Sequence, residues 1–107
     1  MTYELRLSGH AEYEITQALA WTENHFGKKQ RDAYKKLIRS ALLHLAKHPL
    51  RPPARKREDI GAAVHSLHIA RKGKPARHFF IYRIAGKRIV EIARFLHDSM
   101  DTHVEFN

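Results

Sequence analysis

The spacing of apolar residues changes along this chain, and these changes limit what each part can fold into. Between residues 8 and 48 the apolar residues recur at helical spacing, whereas from residue 64 they alternate with polar residues in successive runs. A helix buries one stripe of side chains and a strand buries every second one, so neither pattern fits the other element. The sequence therefore predicts helices followed by strands.

The first 27 residues indicate a strand and then a helix. Residues 3–7 alternate between apolar and polar side chains, which is typical of a half-buried strand. Ser8 suits the N-cap of the helix, and Gly27 suits its end, where a positive φ is common. Tyr13 and Trp21 fall outside the apolar stripe and are interpreted as partner-facing. The predicted buried stripe consists of Ala11, Ile15, Ala18, Leu19, Thr22 and Phe26.

A second helix is predicted between Gly27 and Pro49, because proline cannot continue a helix. The short connection at Gly27 favours an antiparallel helical hairpin whose two stripes face one core. The buried stripe of this second helix is broad and consists of Ala33, Tyr34, Leu37, Ile38, Ala41, Leu42, Leu45 and Ala46.

The second half of the chain is predicted to form a loop and three strands. Residues 49–61 hold three of the four prolines, so we expect no regular structure there. The turn sequences at residues 72–75 and 85–87 then separate three alternating runs, which indicates an antiparallel meander. These runs are residues 64–70, 77–84 and 88–96.

The predicted order of elements is β-α-α-β-β-β. This order is typical of an α+β fold in which a helical hairpin packs on a small, largely antiparallel twisted sheet. With 107 residues, of which 43% are hydrophobic, the chain is predicted to form one domain spanning residues 1–107.

The charge of the chain predicts an anionic partner. Lys and Arg number 20 against 11 Asp and Glu, which gives a net charge of +9. Residues 51–77 carry +6 of this surplus, so we interpret their cations as a binding patch for phosphates or carboxylates rather than only a solvated loop. The predicted patch consists of Arg51, Arg55, Lys56, Arg57, Arg71, Lys72, Lys74 and Arg77.

Other residue types suggest little chemistry. Cysteine is absent, and no apolar run is long enough to span a membrane, so we expect a cytoplasmic protein without a membrane partner. His44 and His48 have a spacing that could hold a metal, but no third ligand accompanies them, and we expect neither a metal nor a cofactor. His78 and His97 lie at predicted strand ends, where each could transfer a proton or simply hold a loop by a hydrogen bond.

Five segments together resemble the RelE/ParE superfamily of toxins from type II toxin–antitoxin pairs, and in particular its ParE-like branch. The most specific segment is residues 94–101, Arg-Phe-Leu-His-Asp-Ser-Met-Asp, which is similar to the Arg-x-Leu-His-x-x-Met-Asp ending of that branch. The resemblance spans nearly the whole chain. The other segments are residues 3–8, 45–49, 60–61 and 78–83.

The resemblance implies two alternative activities. ParE-like toxins inhibit DNA gyrase without chemistry, and this alternative is favoured because Asp98 would repel a phosphate and because Met100 and Asp101 match that branch. Its target-binding residues would be Arg94, His97, Asp98, Met100 and Asp101. RelE-like toxins instead cleave mRNA on the ribosome, and the catalytic residues would then be Lys56, Arg57, Arg71, Arg77, Arg94 and His97.

Both alternatives imply a cognate acidic antitoxin, ParD-like or related, encoded next to the toxin. A basic toxin surface can capture such an antitoxin by electrostatic complementarity, as well as a nucleic acid. A third hypothesis, a basic nucleic-acid-binding domain without toxicity, also fits the charge of the chain.

Overall fold

A computed structural model describes residues 2–100, and in that part of the chain it contains two helices and five strands. Their arrangement confirms the predicted α+β class, and the three long strands lie within one or two residues of their predicted bounds. In chain order, the elements are β1 (Glu4–Leu7), α1 (Gly9–Phe26), α2 (Lys28–Lys47), β2 (Arg55–Lys56), β3 (Val64–His68), β4 (His78–Ala85) and β5 (Ile89–His97).

The strands form one mixed sheet in the order β1-β5-β4-β3-β2. Strands β3, β4 and β5 form the predicted antiparallel meander. The first strand, β1, lies parallel to the last strand, β5, with Leu5 opposite Val90. The first and last strands of the described residues are therefore neighbours in the sheet.

The prediction that residues 49–61 lack regular structure is wrong at two positions. Arg55 and Lys56 form the short strand β2, which pairs antiparallel with Ser66 and His65 of β3. β3 would otherwise be an edge strand with unpaired backbone groups, and two residues of the loop satisfy some of them.

The residues that begin and end the helices act as the sequence predicts. The Ser8 hydroxyl accepts a hydrogen bond from the Ala11 amide over 3.0 Å and donates to the Ala93 carbonyl over 2.6 Å, so it both caps α1 and ties it to β5. Gly27 has a φ of 92° between the two helices, a conformation that favours glycine. Helix α2 ends at Lys47, just before Pro49.

Both helices pack on one face of the sheet, against buried side chains of β4 and β5 such as Phe80, Tyr82 and Phe95. Within the core, the Tyr82 hydroxyl donates a hydrogen bond of 2.6 Å to the Pro49 carbonyl. A smaller cluster occupies the opposite face, and Ile60 packs against it. No helix in residues 2–100 is long and apolar enough to cross a membrane.

Phe26 does not belong to this core, contrary to its predicted place in the stripe of α1. Its side chain is 63% exposed. It is the last residue of α1, and helix α2 turns back immediately after Gly27, so no element covers this end of the stripe.

Candidate functional site

A long groove runs between the helical hairpin and the adjoining ends of β4 and β5. Its volume is about 1930 Å³, well above the roughly 300 to 1,000 Å³ of pockets that bind small molecules. Side chains from α1, α2, the turn before β4 and the end of β5 line it. The size and open shape of the groove suit a segment of a macromolecule.

One end of the groove is aromatic. Trp21 and Phe26 line it with more than half of their side chains exposed, and their ring centroids lie 5.7 Å apart. His25 stacks on Trp21 with a centroid distance of 4.1 Å. Tyr13 precedes Trp21 by about two turns of α1. It is 65% exposed and also lines the groove. The exposure predicted for Tyr13 and Trp21 is confirmed, and such a patch is typical of a binding surface.

The charges of the groove are strongly unbalanced. Its two carboxylates, Glu14 and Asp32, are each paired with an arginine, Arg94 and Arg31. The four lysine and arginine side chains that complete the lining make no ion pair or side-chain hydrogen bond to any of residues 2–100. These free cations are Lys29, Lys36, Lys74 and Arg77. The groove therefore presents net positive charge to whatever enters it.

The pair formed by Glu14 and Arg94 joins α1 to the end of β5. The Glu14 carboxylate accepts hydrogen bonds from Arg94 Nη2 over 2.6 Å and from Arg94 Nε over 2.9 Å. It also accepts from the Phe95 amide over 3.0 Å, at a position beyond the end of the pairing with β1, where β5 has a strand partner on the β4 side. The hydrogen bond that Arg94 donates to Glu14 raises the pKa of Arg94. The Arg94 guanidinium, predicted to bind a target, is therefore bound within the fold.

His78 and His97 lie opposite each other on β4 and β5 and line the groove together. Their ring centroids are 5.2 Å apart. His78 Nδ1 is 2.6 Å from the Tyr34 hydroxyl, and the His78 ring stacks on Phe95 with a centroid distance of 4.7 Å. Burial, followed by the nearby His97, lowers the pKa of His78 to about 4, so this imidazole is neutral at pH 7.

The remaining residues of the predicted C-terminal site lie at the end of β5. The Asp98 carboxylate is 2.9 Å from Nε2 of His68. Met100 lines the groove and is 51% exposed. Asp101, predicted to bind the target, lies outside the described residues. His97 and Met100 therefore share the groove, whereas the Asp98 carboxylate already has a partner.

The predicted basic patch divides into residues with different partners. Lys56 pairs with Glu58 and Arg57 with Asp59. Arg71 donates to the backbone carbonyls of His68 and Ala70. Of the eight predicted cations, those that line the groove are Lys74 and Arg77. Binding of an anionic partner by the other six, which include Arg51, Arg55 and Lys72, stays a prediction.

Two residues of the alternative nuclease set lie on opposite faces of the sheet. The Arg57 guanidinium lies over the Phe79 ring at 5.9 Å from its centroid. His97 contacts His78, the neighbour of Phe79 in β4. Adjacent strand residues point to opposite faces, so the Arg57 guanidinium and His97 cannot reach one phosphate in this arrangement.

Two groups of site residues were not predicted as such from the sequence. Lys29 and Lys36 were recognised only as lying off the apolar stripe of α2, and their place in the groove depends on how the hairpin packs. Glu14 was not singled out, because its partners lie about 80 positions further along the chain. The sequence signal that could have identified Glu14 is its position in α1 near Tyr13 and Trp21, the two aromatic residues interpreted as partner-facing.

No group of three or more His, Cys, Asp or Glu side chains in residues 2–100 could hold a metal ion. His44 lies in α2 and His48 follows the last residue of that helix, and their ring centroids are 6.3 Å apart. Nε2 of His44 is hydrogen-bonded to the Arg51 carbonyl over 3.1 Å.

Comparison with known proteins shows a family match. The family model described as the ParE toxin of type II toxin-antitoxin system, parDE, matches residues 5–102. No curated protein matches the chain at significant similarity. The family match covers both helices, all of the long strands and the C-terminal segment beside the groove.

Proposed function

Since this chain belongs to the ParE toxin family of type II toxin–antitoxin systems, we propose that it arrests growth by binding and inhibiting DNA gyrase. A toxin of this type has an antitoxin as its partner, and we propose that the antitoxin neutralises it by occupying the groove. Because gyrase acts on the bacterial chromosome, the proposed site of action is the cytoplasm.

The observation that carries the gyrase proposal is the family match through the C-terminal segment. In that segment Met100 is exposed beside the groove, and Glu14 holds the backbone at Phe95. A segment that is fixed at its base and exposes an apolar side chain is suited to binding a protein surface. Binding alone is sufficient for an inhibitor that does no chemistry.

The arrangement gives less support to mRNA cleavage. That reaction needs cations and a proton donor around one phosphate. Arg57 lies on the opposite face from His97, and the Arg94 guanidinium is held by Glu14.

The charge of the groove supports the proposed antitoxin site. Its own carboxylates are neutralised by arginines, and its four remaining cations are free within residues 2–100. An acidic segment of an antitoxin would supply the missing charge, and its apolar side chains would cover Trp21 and Phe26. Occupation of the groove would also cover Met100 and so block the proposed target site.

The direct test is DNA supercoiling by purified gyrase on relaxed plasmid, with the toxin added in increasing amounts. We expect supercoiling to be lost, and we expect Met100→Ala to raise the concentration needed by about tenfold, as for an interface anchor worth about 1.4 kcal/mol. Leu50→Ala is the matched control, because Leu50 is similarly exposed at 57% but does not line the groove.

Full supercoiling at saturating toxin would exclude gyrase as the target. In cells, expression without antitoxin should cause filamentation and DNA-damage signalling while bulk translation continues at early times. Immediate loss of translation with cleaved mRNA would instead support the RelE-like alternative.

A further inference from the structure

The hydrogen bonds of His78 and His97 define which nitrogen of each ring carries the proton. The Ser99 amide donates to Nδ1 of His97 over 3.1 Å, so this Nδ1 is an acceptor and the proton lies on Nε2. The Tyr34 oxygen accepts from the Arg77 amide over 3.1 Å. Among residues 2–100 the Tyr34 hydroxyl then has one acceptor for its own proton, Nδ1 of His78. His78 therefore also carries its proton on Nε2.

Both Nε2–H groups are available to a ligand. Neither makes a hydrogen bond to any of residues 2–100. Neither nitrogen is fully buried, so a ligand can reach both. Both rings line the groove. The pairing of His78 with His97 across β4 and β5 holds the two rings edge to face, at an angle of 88°. The groove thus contains two adjacent donors that are fixed by the sheet.

The surroundings of these two donors favour an anion. The side chains of Lys74 and Arg77 line the same groove. Neither makes an ion pair or a side-chain hydrogen bond to the described residues. The acidic groups nearest to the pair are already bound, since Asp98 contacts His68 and Glu14 contacts Arg94. Tyr34 donates to His78, so no acceptor faces the two Nε2–H groups from these neighbours.

We infer that Nε2–H of His78 and Nε2–H of His97 together bind one carboxylate of the antitoxin segment that occupies the groove. This inference rests on the proposed antitoxin site. A carboxylate has two oxygens, and each can accept one of the two hydrogen bonds. Lys74 and Arg77 supply the positive charge, and the imidazoles supply the geometry. The aromatic end of the groove, at Trp21 and Phe26, is left for apolar side chains of the same segment.

A carboxylate fits the site better than a nucleic-acid phosphate because apolar side chains also line the groove. Ala18 and Leu37 are buried in its lining. An amphipathic peptide can place aliphatic side chains against them, whereas a phosphate backbone would lose hydration there.

The test uses the full chain and two probes of comparable charge, a blocked hexaglutamate peptide and a hexauridylate oligonucleotide. Binding is measured at low salt by calorimetry and by the NMR signals of the histidine rings. We expect hexaglutamate to shift the ring signals of His78 and His97 and to leave those of His44, outside the groove, unchanged.

Two substitutions at one position separate the donor from the rest of the ring. His97→Asn keeps a polar atom near the place of Nδ1 and removes the Nε2 donor, so we expect hexaglutamate affinity to fall about tenfold, as for a hydrogen bond to a charged group. His97→Gln places an amide NH₂ near Nε2, so we expect affinity within about twofold of the unchanged chain. His44→Asn is the control for the substitution itself.

Equal affinity of His97→Asn and the unchanged chain, or absence of shifts at both rings, would overturn the inference. Tighter binding of hexauridylate with the same dependence on His97 would assign the donors to a nucleic acid and would also overturn it. Neither outcome depends on gyrase. The supercoiling assay on the same variants separates failure of this subsite from failure of the proposed function.

Discussion

Glu14→Gln tests whether the contact between α1 and β5 fixes the C-terminal segment. The substitution preserves shape and removes the charge. A glutamine has one acceptor oxygen, whereas the Glu14 carboxylate accepts from both Arg94 and the Phe95 amide. In the variant, an NH₂ group must therefore face at least one N–H donor.

The expected loss of stability follows from the burial of the pair. Breaking a fully buried ion pair costs about 3 to 5 kcal/mol, and hydrogen bonds to charged groups contribute about 1.5 to 3 kcal/mol. The Arg94 side chain is 30% exposed and that of Glu14 is 15% exposed, so water can partly rehydrate the guanidinium. We therefore expect a decrease of about 2 to 3 kcal/mol in the free energy of unfolding.

The assay is urea denaturation with thermal unfolding as a second measurement. For a domain of this size the expected decrease corresponds to a fall in Tm of about 10 °C. Glu4→Gln is the matched control, because Glu4 and Arg6 form an ion pair whose side chains are 60% and 59% exposed. Such a surface pair contributes about 0 to 1 kcal/mol, so the control should unfold almost as the unchanged chain does.

A double-mutant cycle with Arg94→Met makes the prediction stricter. We expect a coupling energy of at least about 1.5 kcal/mol between the two positions. If Glu14→Gln lowers stability no more than Glu4→Gln, or if the two changes at Glu14 and Arg94 are additive, the pair does not hold the segment.

Three further substitutions test other parts of the fold. Ala63 has a φ of 61°, so Ala63→Gly should relieve strain and raise the free energy of unfolding by about 1 kcal/mol in urea denaturation. Tyr82→Phe removes the donor to the buried Pro49 carbonyl and should lower the same quantity by about 1 to 2 kcal/mol, whereas an unchanged value would mean that water replaces the hydroxyl. Burial and the neighbouring His97 lower the pKa of His78 from 6.5 to about 4, so the unfolded chain binds the proton more readily. Stability should therefore fall as the pH decreases from about 6.5 to 4, and His78→Phe should flatten this part of the thermal-unfolding profile; an equally steep profile in the variant would contradict the assignment.

The elements of the fold could be predicted because their signals lie within a few residues. Ser8 caps α1 through an amide three positions away, and Gly27 and Pro49 act on the backbone where they stand. The turn sequences at residues 72–75 and 85–87 likewise limit β4, which spans His78–Ala85.

Features that depend on packing between distant segments could not be predicted. Strand β2 has two residues, too few for a periodic signal, and it exists because β3 offers a free edge. Phe26 fits the stripe of α1 by spacing, but no element in residues 2–100 covers the last turn. The groove itself requires Glu14, on α1, to meet Arg94, on β5, and this pairing has no local sequence signal.

The link between Ser8 and Ala93 sets an order on biosynthesis. These residues are 85 positions apart, and β1 takes its place only beside β5. At a synthesis rate of about 5 to 20 residues per second, the N-terminal strand waits roughly 4 to 17 s for its partner to be made. The groove and the sheet edge beside it are therefore assembled only after β5 has been synthesised, so a nascent chain that still lacks β5 cannot present the complete toxin surface.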